Sequence, residues 1–164
     1  MDFTHLDNKG KARMVDVSGK PVTARCALAM CSIYLQQATL DAITDDQLPK
    51  GDVFATARIA GIMAAKRCDE LIPLCHRLAL ESVVVDLQPH SDPPRVEVFS
   101  KVTCTAKTGA EMEALVAVSV AALTIYDMVK AIDKAAVISD IQLVEKSGGK
   151  SGHFTREENT CKEE

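Results

Sequence analysis

A helical segment from Val53 to about Leu71, two β-rich runs joined by a proline-rich connection, and a long apolar helix leading into a last strand predict an α+β fold. Read as types, the order is strand, helix, strand, strand, helix, strand. That is the ferredoxin-like split βαβ, in which helices cover one face of an antiparallel sheet. A chain of 164 residues is one domain's worth, able to bury a core without disulfides or metal. We divide it into a single domain, residues 1–154, and a highly charged tail, residues 155–164, expected to be disordered.

The elements follow in order. After a polar lead-in, Ala12 to Gly19 reads as a short extended piece, and Gly19-Lys20-Pro21 turns the chain into Val22 to Leu35. There Val22, Ala24, Cys26, Leu28 and Met30 alternate on one side, which favours a strand. Thr39 to Asp46 suits a short helix ended by Pro49, and Asp52 can cap the helix from Val53 to about Leu71, which Pro73 stops. Leu80 to Leu87 and Val96 to Thr105 are strands, and Gln88 to Pro94 between them suits a hairpin with a long loop. The longest helix spans Gly109 to about Lys134, followed by a strand from Val137 to Glu145 and then Ser147-Gly148-Gly149. From Ala114 to Tyr126 this helix carries no charge on any side, more apolar surface than one sheet face covers. A second subunit is expected on its far side.

A net charge of −4 with 4% aromatic residues argues against a general nucleic-acid binder and against RNA bases stacked on the sheet. Cys26, Cys31, Cys68, Cys75, Cys104 and Cys161 contain no C-x-x-C pair, so reduced, mostly buried thiols are expected rather than a zinc or dithiol site. The polar Met1 to Arg13 lacks a signal-peptide core, and Asp127 and Lys130 interrupt the best membrane candidate. A soluble cytoplasmic protein is expected.

Asp127 and Lys130 stand three residues apart, on one face of the long helix. The pair suits a structural ion link or acid/base chemistry. Four other places carry polar groups. Lys50 precedes the Asp52 cap at a helix N-terminus, where free N–H groups favour an anion. In Leu71-Ile72-Pro73-Leu74-Cys75-His76-Arg77 an imidazole and a guanidinium adjoin a proline-stiffened apolar loop. At the start of the long helix Lys107-Thr108-Gly109 precedes Glu111, Met112 and Glu113; Thr108 and Glu111 have capping-box spacing, whereas Glu113 has no such explanation. Lys146-Ser147-Gly148-Gly149-Lys150-Ser151-Gly152 is a flexible cationic loop able to wrap phosphates, but not a P-loop. Glu113 and Asp127 lie about 21 Å apart along a helix at ~1.5 Å per residue. They cannot touch one reacting atom from one subunit, so the ligand is long or the site is shared.

Taken in sequence, Met14-Val15-Asp16-Val17-Ser18, Lys50 to Ile62, Leu71 to His76, Lys107-Thr108-Gly109 with Glu111 to Leu115, Ala121 to Met128, and Lys146 to Gly152 resemble the MoaC family of molybdenum-cofactor biosynthesis, the cyclic pyranopterin monophosphate synthases. The resemblance runs from about Met14 to Phe154. It implies a ferredoxin-like subunit in a hexamer built as a trimer of dimers, with active sites at subunit interfaces. It also implies a cyclised dihydro-GTP substrate, converted to cyclic pyranopterin monophosphate and pyrophosphate. Asp127 then becomes the acid/base group, Lys130 its partner and Lys50 a second catalytic cation, whose proton affinity crowding by other cations would lower. Leu74, Cys75, His76, Met112 and Glu113 fall on the substrate-contact segments, and Lys107, Lys146 and Lys150 are assigned the triphosphate. No bound cofactor or metal is called for, although Mg2+ can accompany the triphosphate. Arg77 stands where the family commonly has proline, giving a less rigid, more cationic loop. The alternative is a nucleotide-binding oligomer of the same fold without turnover.

Overall fold

The structure, a computed structural model, describes residues 9–150 and 152–156. Strands β1 (Thr23–Tyr34), β2 (Leu80–Ser91), β3 (Pro94–Ala106), β4 (Val137–Ser147) and β5 (Phe154–Thr155) form one sheet in the order β2-β3-β1-β4-β5. All four pairings are antiparallel. Helices α1 (Gln37–Thr44), α2 (Val53–Ala65), α3 (Cys68–Leu71) and α4 (Glu111–Val129) complete the split βαβ.

Strand alternation explains how the sheet meets its helices. Ala27, Ala29, Cys31 and Ile33 of β1 and Val96, Val98, Val102 and Cys104 of β3 are buried on the side that faces α4. α4 answers with Ala114, Ala117, Val118, Ala121, Ala122 and Ile125, all fully enclosed. Small side chains on both surfaces let helix and sheet approach closely enough for two direct contacts with the helix backbone. Ser100 Oγ donates to the Ala114 carbonyl at 3.0 Å, and Cys31 Sγ to that of Val118 at 3.4 Å. α2 crosses α4 even more closely at Gly61, where an added Cβ would sit 2.9 Å from the Ala117 carbonyl oxygen. Gly61→Val is therefore expected to lose about 1–3 kcal/mol of stability in a denaturant titration, because backbone rather than a flexible side chain blocks the new atoms.

Several boundaries differ from the sequence expectation. The helix from Val53 ends at Ala65, and residues 66–67 turn the chain into the short α3. α1 begins two residues earlier than expected, at Gln37. The long hairpin loop is absent: β2 runs through Pro89 to Ser91, and Asp92-Pro93 alone makes the turn. Because β2 is an edge strand, a proline's missing N–H does not break a central ladder. The piece from Ala12 to Gly19 makes only an isolated bridge at Ala12. α4 ends at Val129 rather than Lys134. Its departure brings the buried Asp133 carboxylate onto the start of α1, where it accepts from Gln36 N at 2.8 Å and Gln36 Nε2 at 3.4 Å. Thr155, placed in the tail, pairs with Glu145 at the sheet edge. The rest of the expected disorder, residues 157–164, lies outside the described residues, as do residues 1–8, Ser151 and Cys161.

α4 is in fact long and apolar enough to cross a membrane by length and composition, since Lys130 falls just beyond it. Most of it is buried against the sheet and α2, as suits a core helix. Cys31, Cys68 and Cys104 are buried and Cys26 and Cys75 half-buried, all as free thiols.

Candidate active site

The two ends of α4 carry two separate clusters. At its N-terminal end lies a cleft of about 370 Å³ that brings together five of the expected contact residues: Leu74, Cys75, His76, Met112 and Glu113. The lead-in chain closes the other side with Val15, Val17 and Lys20. His76 fixes this closure by donating from Nε2 to the Val15 carbonyl at 2.8 Å, which leaves Nδ1 of the neutral ring as an acceptor. Arg77 is exposed and stands outside the cleft lining.

Glu113 is only 4% exposed. Burial pushes its carboxyl above the ordinary 4.5, although its own backbone N–H and the Cys68 thiol hydrogen-bond to the carboxylate and favour ionisation. Burial likewise raises the Cys75 thiol, which makes it a weak nucleophile at neutral pH.

Glu111 has a different role from the one its spacing suggested. The N-cap of α4 is Ala110, with no side-chain cap, so Thr108 and Glu111 form no capping box. Glu111 sits at the first helical position and folds back over Gly109, which leaves room for its carboxylate to meet Lys146 Nζ at 3.0 Å. The expected phosphate lysines are thus already engaged: Lys146 with Glu111, and Lys107 Nζ with the Ser18 carbonyl at 2.6 Å. Lys150 is exposed on the loop after β4 and does not line the cleft.

Two cationic residues escaped the sequence reading. Lys20 lines the cleft directly. Arg25 reaches from β1 towards the Ala106 carbonyl at 3.5 Å and that of Lys107 at 3.4 Å. Its guanidinium occupies the space that a side chain at Gly149 would need, and the Gly148-Gly149 backbone has φ of +96° and +74°, where glycine is favoured. Arg25 had a signal in the sequence: it is the only charged residue between Val22 and Leu35.

The other end of α4 holds the acid/base candidates. Lys130 Nζ approaches Asp127 Oδ1 at 2.6 Å, and Lys50 Nζ lies 3.4 Å from Oδ2 and donates to the Asp127 carbonyl at 2.6 Å. Lys50 arrives there through the turn before α2, where Asp52 caps by accepting from Ala55 N at 2.8 Å. Its ammonium points at the C-terminal end of α4, not at an anion on the α2 N-terminus. A carboxylate on the last turn of a helix opposes the helix dipole, and the two ammonium groups offset that cost.

Hydrogen bonds from Lys130 and then Lys50 hold the Asp127 carboxyl below the ordinary 3.8, while Asp127 holds Lys130 above 10.5. In sign, the Asp127 contribution to stability is present above about pH 3.8 and is lost as pH falls through the depressed value. The Lys130 contribution is present below 10.5 and is lost as pH rises through the elevated value. Both groups stay charged across neutral pH. An NMR titration of the Asp127 carboxyl should give a midpoint below 3.8, and Lys130→Ala should move it back towards that value.

Asp127, Lys130 and Lys50 are 60%, 52% and 46% exposed, so this cluster lies open at the surface. α4 is continuous between Glu113 and Asp127, which keeps the clusters about 21 Å apart at the helical rise. One chain does not bring them together. Among the described residues, no group of three or more His, Cys, Asp or Glu is gathered as for a metal ion.

The MoaC family model matches residues 14–149. A protein of Mycobacterium bovis named cyclic pyranopterin monophosphate synthase 3 is 58% identical over 154 residues, covering 94% of this chain and 86% of that protein. Cyclic pyranopterin monophosphate synthases of Heliobacterium modesticaldum and Herpetosiphon aurantiacus are 58% and 56% identical, over 95% and 93% of this chain and 98% and 93% of theirs. A match of this extent takes in both clusters and the helix between them, and the chain belongs to the MoaC family.

Proposed function

We propose that this protein is a cyclic pyranopterin monophosphate synthase of molybdenum-cofactor biosynthesis, a phosphorus–oxygen lyase acting on a cyclised dihydro-GTP. The family match supports the reaction. The observation that bears on how it is done is the separation of two polar clusters at opposite ends of α4. We read them as halves of one site, completed when the Asp127 end of one subunit meets the cleft of another.

In this reading His76 and Glu113 orient the bicyclic part, with Leu74, Cys75 and Met112 as the apolar floor. Lys20, Arg25, Lys107 and Lys146 hold the triphosphate. Exchange of carboxylate and carbonyl contacts for phosphate oxygens retains charge-assisted hydrogen bonds to the cations. The reaction opens the guanine-derived imidazole ring, rebuilds it as a pyranopterin, and closes a cyclic phosphate. In the last step a sugar hydroxyl attacks the α-phosphorus, the bond to the bridging oxygen breaks, and pyrophosphate leaves with its charge stabilised by the lysines, with Mg2+ as an aid when it accompanies the substrate. Asp127 handles protons once docking removes it from water, because desolvation opposes the two ammonium groups that keep its carboxyl acidic.

Assembly as a cytoplasmic homohexamer, a trimer of dimers, fits the exposed apolar side chains Ile59, Met63, Leu123 and Ile132. An apolar groove of about 460 Å³ along α3 and α4 shares Met112 with the cleft, so a subunit seated there would border the site. The test is to incubate purified protein with the cyclised dihydro-GTP. Equal amounts of pyrophosphate and cyclic pyranopterin monophosphate are expected; substrate recovered intact after long incubation would instead mark a binding protein without turnover.

A further inference from the structure

Cys68 and Cys75 are seven residues apart in the sequence but meet in space. α3 makes one turn, closed by Ile72 N to the Cys68 carbonyl at 2.9 Å, and a second turn follows, closed by Cys75 N to the Ile72 carbonyl at 3.1 Å. These turns fold Cys75 back onto Cys68, and both residues pack with Ala64, Val116 and Val120 in a small apolar cluster under the cleft. Their thiols hydrogen-bond to each other, and Cys68 also hydrogen-bonds to Glu113. Cys75 reaches the cleft while Cys68 is 1% exposed behind it. A soluble oxidant therefore reaches one sulfur first.

We propose that Cys68 and Cys75 form a reversible disulfide that shuts the substrate cleft, with a low-molecular-weight disulfide such as oxidised glutathione as the oxidant. The proposal rests on the reading of Cys75 as a cleft residue. The Cys75 sulfur attacks one sulfur of the oxidant, giving a mixed disulfide and releasing one glutathione. Cys68 then attacks the Cys75 sulfur, forms the internal bond and expels the second glutathione. The two thiol protons end on the two released thiols, so two cysteines are oxidised and one glutathione disulfide is reduced to two molecules of glutathione. Burial keeps both cysteines protonated and slows the attack, so proximity is what favours the pair. Closing an S–S bond of about 2.05 Å draws Cys75 out of the cleft wall and removes the thiol that Cys68 offers to Glu113. His76, the next residue, moves with it.

Full-length protein and Cys68→Ser are equilibrated in a series of oxidised and reduced glutathione, then examined by intact mass, alkylation and peptide mapping, with turnover read in parallel. The parent is expected to lose two hydrogens, yield a Cys68–Cys75 cross-linked peptide and fall in turnover by about tenfold or more, with recovery in dithiothreitol. Cys68→Ser is expected, in the oxidising buffer, to stop with one glutathione on Cys75 and to yield no cross-linked peptide. Two alkylatable thiols at these positions throughout the series, or a disulfide that leaves turnover unchanged, would overturn the proposal. Should the reduced parent show no turnover at all, the assigned reaction fails separately. Mass still decides whether the bond forms, and equilibrium binding of the cyclised triphosphate decides whether it closes the cleft.

Discussion

Asp127→Asn is expected to fold and assemble like the parent while releasing pyrophosphate at least about a hundredfold more slowly. The residue is well exposed in the subunit and contributes nothing to the core, so its removal leaves α4 and the sheet intact. The ion pairs it forms are surface contacts, individually of little consequence for stability. An amide keeps the size of the side chain and can still accept one hydrogen bond from Lys130 or Lys50. It cannot take up or return a proton. The loss should therefore appear in kcat, with a much smaller change in KM, because the amide keeps the side chain's size and a hydrogen bond to the lysines and gives up only the proton transfer. Pyrophosphate release and the circular-dichroism melt together check this outcome; unchanged release would remove Asp127 from the chemistry.

Glu113→Gln should separate stability from activity in the opposite sense. Burial raises the Glu113 carboxyl above 4.5, so between the unfolded and folded values the native state binds more protons than the unfolded one. Stability therefore falls as pH rises through that window, and at neutral pH the charged group is a net cost to the fold. Glutamine keeps the shape and the hydrogen-bonding reach without that cost. The variant should melt at or above the parent's temperature at neutral pH, with the difference vanishing below about pH 4.5. Its turnover should nevertheless drop by about two orders of magnitude, since in the proposed site this buried carboxylate orients the substrate's polar atoms through its charge. A lower melting temperature at neutral pH would show that its hydrogen bonds outweigh the burial penalty.

The strand within Val22 to Leu35, the helix capped by Asp52 and the uncharged helix before Asp127 were legible as local patterns, but the side from Val22 to Met30 is the more exposed face of β1, and Ala27, Ala29, Cys31 and Ile33 form the buried one. The Asp127 and Lys130 pairing was legible for the same reason: three residues on a helix set their distance. Errors arose where a distant contact outweighed the local signal. Thr108 and Glu111 have capping-box spacing, yet Lys146 of β4 takes the Glu111 carboxylate. The prolines from Pro89 to Pro94 suggested a loop, yet Pro89 stands in the ladder of edge strand β2, Pro93 in the tight turn and Pro94 at the first position of β3. Lys20 lies in a turn by local sequence, and its place in the cleft follows from the lead-in chain that His76 holds at Val15, across 61 residues of sequence. Lys50 precedes one helix in the sequence, whereas the fold turns it to a carboxylate on another.

The proposed sharing of the site between subunits would explain why the Asp127 cluster lies open at the surface of one chain. Subunit mixing tests this most directly. Asp127→Asn and Glu113→Gln, each nearly inactive alone, are unfolded together, refolded at equal amounts and assayed for pyrophosphate release. With halves drawn from two chains, random pairing joins an intact Asp127 end to an intact cleft in about a quarter of the sites, so activity should return to about a quarter of the parent's. A mixture no more active than its separate variants would contradict the shared site.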